Sequence, residues 1–373
     1  MKVKVRQLIE RFEQFAPKHL AMDNDPVGLQ LGSLDAEVHK VMTTLDVRPE
    51  VVEEAIANGV DLIFAHHPMM FHPAKNLDLS IPQNQMYATL LQNHITVYSA
   101  HTNLDFADGG MNDWLAEQLG LTDLSGMVPG YADPVYRLTV QVPKVYSAAV
   151  RMSLVDAGAE VNSSEYTSYT YEIDGTVYYV PKSFSNPEIG NVGEPTERED
   201  ARLEFELFKS KLEPVMHALH DVHPLDKPLY NIIKVQDKQH QYTMGRIGDL
   251  ETEMSLDEFV QLVKDKFQVQ GLRVIANDLS KPVKKVAVLG GDGGKFYPLA
   301  QKLGADVYVT GDVYYHTGHD MLAADMPVID PGHHIESVCK AKLADLFNQW
   351  KAADDWDIEI IESKINTDPF TFK

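Results

Sequence analysis

Short apolar runs alternate with helical segments in the first and last thirds of this sequence. In the first third, strands and helices are predicted in alternation at residues 41–47, 49–58, 61–65, 84–93, 96–100 and 110–119. The alternation returns near residue 245, with helices predicted at 255–266, 296–303 and 319–324 and strands at 285–289, 307–310 and 327–330. Strands that alternate with helices usually pair in parallel, so this pattern predicts a layered α/β fold with a largely parallel sheet.

The middle of the chain has a different pattern, rich in strands and poor in helices. Strands are predicted at 137–142, 168–173, 176–180 and 203–208, and helices at 147–157 and 214–220. This order is typical of a small ferredoxin-like α+β domain. We therefore predict one α/β domain in two halves, residues 1–128 and 246–373, interrupted by an inserted α+β domain at residues 129–245. One interrupted domain is a simpler arrangement than three independent ones.

Composition and charge argue against several classes of function. The net charge of −22 is the wrong sign for a nucleic-acid partner, so we expect no nucleic-acid binding. No apolar run approaches the roughly 20 residues that span a bilayer, and the first residues lack a secretory pattern, so we expect a cytoplasmic protein without membrane contacts. Cys339 is the only cysteine, so any metal must be held by histidine and carboxylate side chains.

Two adjacent histidines, His66 and His67, follow the apolar run at 60–65. Adjacent side chains of a regular strand point to opposite faces, so both can reach one site only if the chain leaves the strand there. Pro68 favours such a departure because it restricts His67 to extended or turn conformations. The alternative for this pair alone is two surface histidines in a loop.

Two further segments place imidazole and carboxylate groups after predicted strands. His101 and Asp105 follow one such strand. His333 and Glu336 follow another, and in a helix that begins there they lie on one face because they are three residues apart. Taken alone, Asp105 also fits a helix cap or turn, and the second segment also fits an ordinary helix start.

Together, the three segments predict a metal site. The carboxyl ends of parallel strands meet at one edge of a sheet, where such folds build their sites. The predicted ligands are His66, His67, Asp105, His333 and Glu336. A catalytic zinc ion typically has three protein ligands, so five ligands indicate two ions that share a bridging carboxylate, for which we select Glu336. His101 and His316 are predicted to support the ligands or to transfer protons.

A glycine-rich segment at residues 290–295 also follows a predicted strand. It is similar to a phosphate-binding loop but lacks the Walker spacing and the Ser or Thr that follows it. It could hold a phosphate at a helix N-terminus, or it could allow a strand and a helix to pack closely. We favour the packing interpretation.

Several short motifs, spread over both outer segments, are shared with one known family. They are Asp25-Pro26-Val27-Gly28-Leu29, His66-His67-Pro68, His101-Thr102-Asn103-Leu104-Asp105, Gly109-Gly110-Met111-Asn112-Asp113, Thr310-Gly311-Asp312 and Gly332-His333-His334-Ile335-Glu336. In combination they are specific, and by them the chain resembles the NIF-three-like family (NGG-one interacting factor three-like). Bacterial members of that family are labelled GTP cyclohydrolase 1 type 2 homologs.

The resemblance implies a site, an insertion and an assembly. It implies a dinuclear metal site on the five ligands named above, and toroidal homohexamers. It also implies that the middle region is a PII/CutA-type insertion, which the segment 186–190 and His223-Pro224 fit. At Leu225-Asp226-Lys227 the family pattern would have an aromatic residue followed by two acidic ones, a departure that argues against a ligand role for the insert.

Two functions fit these predictions. The first is a dinuclear-metal-dependent hydrolase with a small-molecule substrate such as a nucleotide. For it, the resemblance implies GTP cyclohydrolase chemistry, in which water attacks C8 of the purine and formate leaves. The second is a non-enzymatic metal-binding or regulatory assembly whose insert senses a small molecule. Mixed nitrogen and oxygen ligands suit zinc, iron or manganese, and we expect zinc.

Overall fold

The computed structural model describes residues 3–162, 166–184, 190–225 and 227–373. It contains two compact units, one formed by Met1–Tyr131 with Tyr242–Lys373 and the other by Ala132–Gln241. The second unit begins at 132 and ends at 241, where the sequence predicts an insertion from 129 to 245. The assignment of these units as two domains stays a prediction. Of the family features predicted in the insertion, residues 186–189 and Asp226 lie outside the described residues.

The elements are numbered in chain order. The strands are β1 (Val3–Lys4), β2 (Gly28–Leu31), β3 (Glu37–Val38), β4 (Lys40–Thr44), β5 (Leu62–Ala65), β6 (Thr96–Ser99), β7 (Thr122–Pro143), β8 (Thr170–Tyr179), β9 (Thr196–Phe208), β10 (Leu229–Ser255), β11 (Arg273–Ile275), β12 (Pro282–Asp292), β13 (Val307–Gly311), β14 (Val328–Asp330) and β15 (Glu359–Glu362). The α-helices are α1 (Val5–Phe15), α2 (Pro49–Ala57), α3 (Pro82–Gln92), α4 (Thr102–Phe106), α5 (Met111–Leu119), α6 (Ser147–Asp156), α7 (Leu212–Val222), α8 (Leu256–Phe267), α9 (Tyr297–Lys302), α10 (Tyr315–Ala323) and α11 (Cys339–Ala353). Short 3-10 helices lie at Lys18–Leu20, Lys144–Tyr146, Lys209–Lys211, Gly294–Phe296 and His333–Val338. In the described parts of the chain, none of the helices has the length and apolar character needed to cross a membrane.

The first sheet of the two-part unit has the strand order β15-β4-β5-β6-β2. Strands β15, β4, β5 and β6 run parallel, and β2 is antiparallel to β6. In β5, Ile63 packs into one apolar cluster and Phe64 into another. Because alternate residues of a strand face opposite sides of the sheet, this short apolar run contributes to two cores.

The same unit contains a second group of parallel strands. Here β11, β14, β13, β12 and β10 are neighbours in that order; β12, β13 and β14 run parallel, while β11 and β10 are antiparallel to their neighbours. The ladder between β12 and β13 is irregular between Val288 and Asp292. The predicted mixed α/β class is confirmed, but the parallel strands are divided between two sheets instead of forming one.

The unit Ala132–Gln241 has the element order strand, helix, two strands, helix and strand, whereas the sequence predicts three strands between the two helices. Its strands are neighbours in the order β10-β7-β9-β8, and β9 is antiparallel to both β7 and β8. An apolar cluster of its own lies between these strands and the helices α6 and α7. The strands predicted at 168–173 and 176–180 form one strand, β8, in which Gly175 pairs with Asp200 without a break in register.

Aromatic packing fixes the strand that precedes the two adjacent histidines. Phe64 of β5 is fully buried, and its ring centroid lies 4.7 Å from that of Phe12, 5.3 Å from that of Tyr98 and 4.9 Å from that of Phe347. Each such pair adds about 0.5–1.5 kcal/mol beyond the burial of apolar surface. The cluster packs β5 against α1 and α11, and this packing fixes the position of the carboxyl end of β5.

Candidate metal centre

Both groups of parallel strands present histidines at their carboxyl ends. Strand β5 ends directly before His66 and His67, which lie in a bend where the chain leaves the strand, as predicted. Strand β6 ends two residues before His101, and β14 ends three residues before His333. The three predicted segments therefore come together in space, although they belong to two sheets and not to one sheet edge.

Six side chains from these segments form what we call the candidate centre: His66, His67, His101, Asp105, His333 and Glu336. Three overlapping groups within it could each hold a metal ion, because their ligand atoms lie within 4.8 Å of one another: His66 with His67 and His101, His67 with His333 and Glu336, and His66 with Asp105 and Glu336. All five predicted ligands belong to these groups. His101, predicted as a supporting residue, belongs to one as well.

His66 presents a free ring nitrogen to the centre. Its Nδ1 lies 2.7 Å from the carbonyl oxygen of Ala100, so this nitrogen carries the proton and donates it, and Nε2 keeps its lone pair. Nε2 lies 3.6 Å from Asp105 Oδ1 and 3.7 Å from Glu336 Oε2, too far for a hydrogen bond. Within the described chain, His66 Nε2 and Asp105 Oδ1 are buried without a hydrogen-bond partner. Such atoms are rare in proteins, and a cation is one of the few groups that can satisfy both.

His67 and His333 approach the same carboxylate oxygen. His67 Nε2 lies 3.0 Å and His333 Nε2 lies 3.1 Å from Glu336 Oε2. Each ring is oriented from its other side, because Nδ1 of His67 lies 2.7 Å from Asp46 Oδ1 and Nδ1 of His333 lies 2.8 Å from Asp312 Oδ2. A carboxylate behind a histidine fixes the tautomer and ring orientation of metal-binding imidazoles, and these contacts have that form.

His101 has the same arrangement. Its Nδ1 lies 2.9 Å from Asp25 Oδ1, while the second oxygen of Asp25 accepts hydrogen bonds from the backbone N–H and the hydroxyl of Thr102. The ring centroid of His101 lies 5.3 Å from that of His66 and 5.6 Å from that of His67. The contacts on Nδ1 leave Nε2 of His101 available to the centre.

Burial and charge shift the pKa values of the two groups with unpartnered atoms. Burial lowers the pKa of His66 to about 3, so this imidazole is neutral at neutral pH. Burial, together with the nearby charge of Glu336, raises the pKa of Asp105 to about 8. Without a cation, the two carboxylates therefore oppose each other's ionisation.

Three of the other four groups, His67, His333 and Glu336, form a hydrogen-bonded ion cluster. Burial alone would lower the pKa of His67, but hydrogen bonds to Asp46 and Glu336 outweigh it and raise that pKa to about 10. The pKa of His333 is raised to about 9 against burial by its bonds to Glu336 and Asp312. Burial would raise the pKa of Glu336, but the two imidazoles hold it well below its usual value. The two imidazolium protons occupy the position that a cation beside this carboxylate would take.

His333 and Glu336 are aligned by the helix type. The sequence predicts that they share a helix face, and the 3.1 Å distance between His333 Nε2 and Glu336 Oε2 confirms this. The helix is a 3-10 helix, His333–Val338, that leads into α11. Residues three apart eclipse each other in a 3-10 helix, which brings the two side chains closer than an α-helix would.

The glycine-rich segment 290–295 packs against the centre. A Cβ atom on Gly290 would lie only 2.6 Å from Glu336 Oε1, so this position has no room for a side chain. The N–H of Gly293 donates to Thr310 Oγ1 at 3.0 Å, and the Gly293 carbonyl accepts from the Tyr308 hydroxyl at 2.9 Å. Since these polar groups already have partners, the contacts favour the packing interpretation over the phosphate loop.

The whole chain matches one protein family. The family model described as DUF34/NIF3 (NGG1p interacting factor 3) matches residues 3–369. The chain belongs to the DUF34/NIF3 family. Proteins named GTP cyclohydrolase 1 type 2 homolog are 42% identical to it in Bacillus subtilis (strain 168), over 98% of both chains, and 40% identical in Listeria innocua, over 96% of both. The solved structure of a Bacillus cereus protein related to NIF3 has a TM-score of 0.92 and 38% identity, covering 100% of this chain and 99% of that one.

Membership of the DUF34/NIF3 family agrees with the motifs found in the sequence. Three aspartates that contact the histidines of the centre are not among the site residues predicted from the sequence. Asp25, Asp46 and Asp312 each bind Nδ1 of a histidine. Asp25 and Asp312 lie within the family motifs, and Asp46 follows β4 by two residues. Asp46 and Asp312 lie just after strands, as the predicted ligands do, and this was a usable signal. Asp25 instead precedes β2 and carries no such signal.

His316 is not brought to the centre of this DUF34/NIF3 chain. It is the second residue of α10 and its side chain is exposed, with its ring against that of Tyr315. It belongs to none of the three metal-competent groups found among the described residues. Its predicted role in proton transfer therefore has no geometric support in the structure.

Proposed function

We propose that the candidate centre binds two divalent metal ions bridged by Glu336. One ion would be held by His66, Asp105 and Glu336, and the other by His67, His333 and Glu336. The observation that carries the proposal is the pair of buried, unpartnered atoms His66 Nε2 and Asp105 Oδ1, which lie 3.6 Å apart. An ion ligated by both would remove two unsatisfied groups at once.

We propose that His101 is a sixth donor, for the ion at His66 and Asp105. Its hydrogen bond to Asp25 matches the bond of His67 to Asp46, which supports direct coordination in place of the supporting role predicted from the sequence. Four imidazoles and two carboxylates suit zinc, iron or manganese, and zinc is our first candidate.

The reaction we propose is metal-dependent hydrolysis of a small molecule. Two divalent ions, when bound, supply a water molecule of lowered pKa and polarise the group it attacks. The chain's own contribution is orientation: Asp46 and Asp312 hold Nε2 of their histidines toward the centre, and the burial of Asp105 and Glu336 keeps bulk water away from the carboxylates. The name of the relatives, GTP cyclohydrolase 1 type 2 homolog, supports a nucleotide as substrate, with opening of the purine ring as the reaction.

We also propose the finer organisation that the family resemblance implies. For the unit Ala132–Gln241, the strand order β10-β7-β9-β8 with two helices supports a ferredoxin-like fold of the PII/CutA type. A toroidal homohexamer and a cytoplasmic location remain predictions, to be tested by light scattering and by cell fractionation. Neither enters the argument for the metal centre.

Metal titration tests the first proposal. Purified protein stripped with chelator is titrated with zinc and with manganese by calorimetry, alongside His67→Ala and the control His72→Ala, which removes an exposed imidazole five residues further on. We expect two ions per chain in the wild type and in His72→Ala, and the loss of at least one in His67→Ala. Wild-type protein that takes up neither metal would refute the proposal.

Measurements of activity test the proposed metal-dependent hydrolysis. GTP and other phosphorylated compounds are incubated with metal-loaded protein, with chelator-treated protein and with His67→Ala. Turnover that disappears in the last two samples supports the hydrolase. Full metal loading without turnover of any compound would favour the non-enzymatic metal-binding or regulatory assembly.

A further inference from the structure

Asn112 connects the backbone of Asp105 to the backbone of Gly290, the glycine that packs against Glu336. It is the second residue of α5 and its side chain is 1% exposed. Its Nδ2 donates to the backbone carbonyl of Asp105 at 3.0 Å, and its Oδ1 accepts from the backbone N–H of Gly290 at 3.1 Å. One buried amide therefore joins a segment that follows β6 to the end of β12.

On the Asp105 side, Asn112 replaces a missing helical hydrogen bond. Helix α4 ends at Phe106, so the carbonyl of Asp105 is one of the last four, which lack partners inside a helix. In a continuing helix its partner would be the N–H of Gly109, which instead donates to Asp113 Oδ2 at 2.8 Å. The Asn112 amide satisfies this carbonyl and so fixes the backbone that carries the Asp105 carboxylate.

On the Gly290 side, Asn112 satisfies an N–H in an irregular part of the sheet. Gly290 lies within the stretch between Val288 and Asp292 where the ladder of β12 with β13 changes register. The same glycine lies directly against Glu336, since a Cβ here would be 2.6 Å from Glu336 Oε1. Moving the Gly290 backbone would therefore change the space available to the Glu336 carboxylate.

The helix that carries Asn112 is itself anchored. Its neighbour Asp113 forms a bidentate ion pair with the buried Arg246, with distances of 2.7 Å from Nε to Oδ1 and 2.6 Å from Nη2 to Oδ2. Such fork-shaped pairs restrict geometry as well as adding energy. The start of α5 is thus a fixed point from which Asn112 reaches both sides.

We propose that Asn112 is a positioning residue that sets the spacing between Asp105 and Glu336. Because these two carboxylates belong to the group with His66, the ion held there depends on Asn112, whereas the group of His67, His333 and Glu336 lacks Asp105. The inference rests on the proposed function, since it assumes that these groups bind metal. Loss of residues that orient ligands typically weakens metal binding by about 10- to 100-fold.

The test compares Asn112→Leu, which removes both hydrogen bonds at similar volume, with Asn84→Leu. Asn84 is a matched control because it is also buried and donates one amide hydrogen bond, at 2.9 Å to the carbonyl of Asp78. Cobalt(II) is added stepwise to metal-free protein and the visible absorption is followed. We expect Asn112→Leu to weaken binding of the ion at His66, Asp105 and Glu336 about 10- to 100-fold, and to weaken binding of the other ion, which shares only Glu336, by a smaller factor. Asn84→Leu should bind both ions as the wild type does.

A second variant separates the two hydrogen bonds of Asn112. Asn112→Asp keeps an acceptor for Gly290 but places an oxygen in place of the donor to the Asp105 carbonyl, so it should weaken binding of the same ion through the Asp105 side alone. Variants of Asn112 that bind both ions with wild-type affinity, and lose only thermal stability, would overturn the inference. If the wild type binds no cobalt, the proposed function fails. The connection that Asn112 makes between Asp105 and Gly290 is then tested on metal-free protein. There, a Gly290 amide that exchanges no faster in Asn112→Leu than in the wild type would overturn it.

Discussion

Replacing Gly290 with alanine should damage metal binding with little change in the rest of the fold. The added Cβ would lie 2.6 Å from Glu336 Oε1 and 3.0 Å from both Glu336 Cγ and a methyl group of Leu115. The carboxylate must retreat by at least 0.4 Å, the difference between 2.6 Å and the 3.0 Å below which real Cβ contacts essentially never occur, and by 0.8 Å to reach 3.4 Å. Bonds from protein ligands to metals tolerate only about ±0.2 Å.

A retreat of that size should therefore cost at least about tenfold in affinity, and as much as about 100-fold, as for other changes that misplace a ligand. Gly294→Ala is the matched control, because it lies in the same glycine-rich segment and its Cβ would meet no atom closer than 3.9 Å. Both variants are stripped of metal, checked for folding by thermal denaturation and titrated with zinc by calorimetry. Equal affinity in Gly290→Ala and Gly294→Ala would refute the placement of Glu336 as a ligand pressed against this glycine.

Three further outcomes are expected. Phe64→Ala should lower the free energy of unfolding in urea by about 3–5 kcal/mol, because it empties a fully buried aromatic site. The exposed Phe71→Ala should change it by no more than about 0.5 kcal/mol, and similar losses would contradict the packing described. Asp312→Asn removes the carboxylate behind His333 and should lower the affinity for one zinc ion about 10- to 100-fold in a titration. An unchanged affinity would contradict the role of Asp312 in orienting His333. Free metal at 100 times its dissociation constant should stabilise the fold by about 2.7 kcal/mol for each bound ion, so chelator should lower the melting temperature, and an unchanged temperature would count against a folded-state metal site.

Local features of the fold could be predicted from the sequence. Ser255 followed by Glu258 three residues later predicts a capping box at the start of the helix at 255–266. The structure contains that box, with the Ser255 N–H donating to Glu258 Oε2 at 2.8 Å. The bend at His66 and His67 followed in the same way from the end of an apolar run and a proline. Both signals depend on a few neighbouring residues, whose side chains determine the local backbone conformation.

Pairing between distant strands could not be predicted in the same way. The short strands β11 and β15 carry no strong pattern of their own, and they form because β14 and β4 offer free edges to them. The division of parallel strands between two sheets depends on such pairings. A one-sheet prediction and a two-sheet structure therefore have the same local sequence signals, and only the contacts distinguish them.

The site illustrates the same limit. Histidines and carboxylates after strands could be selected as candidates, but the pairing of each aspartate with its histidine could not, since Asp46 and His67 are 21 residues apart and Asp25 and His101 are 76 apart. His316 is a predicted supporting or proton-transfer residue, and its exposure on α10 cannot be read from the sequence. Spacing along the chain identifies groups on one helix, whereas groups on different strands need the fold.

The division of the centre between two sheets has a consequence for how the protein is made. Ribosomes release the chain from its N-terminus, so His66, His67 and Asp105 emerge long before His333 and Glu336, which lie near the end of the 373 residues. Until the last segment docks, the early histidines can offer a cation at most an incomplete set of donors. Metal uptake in a cell-free translation reaction should therefore begin only after His333 and Glu336 have been added, and a chain that stops before His333 should be unable to retain the ions.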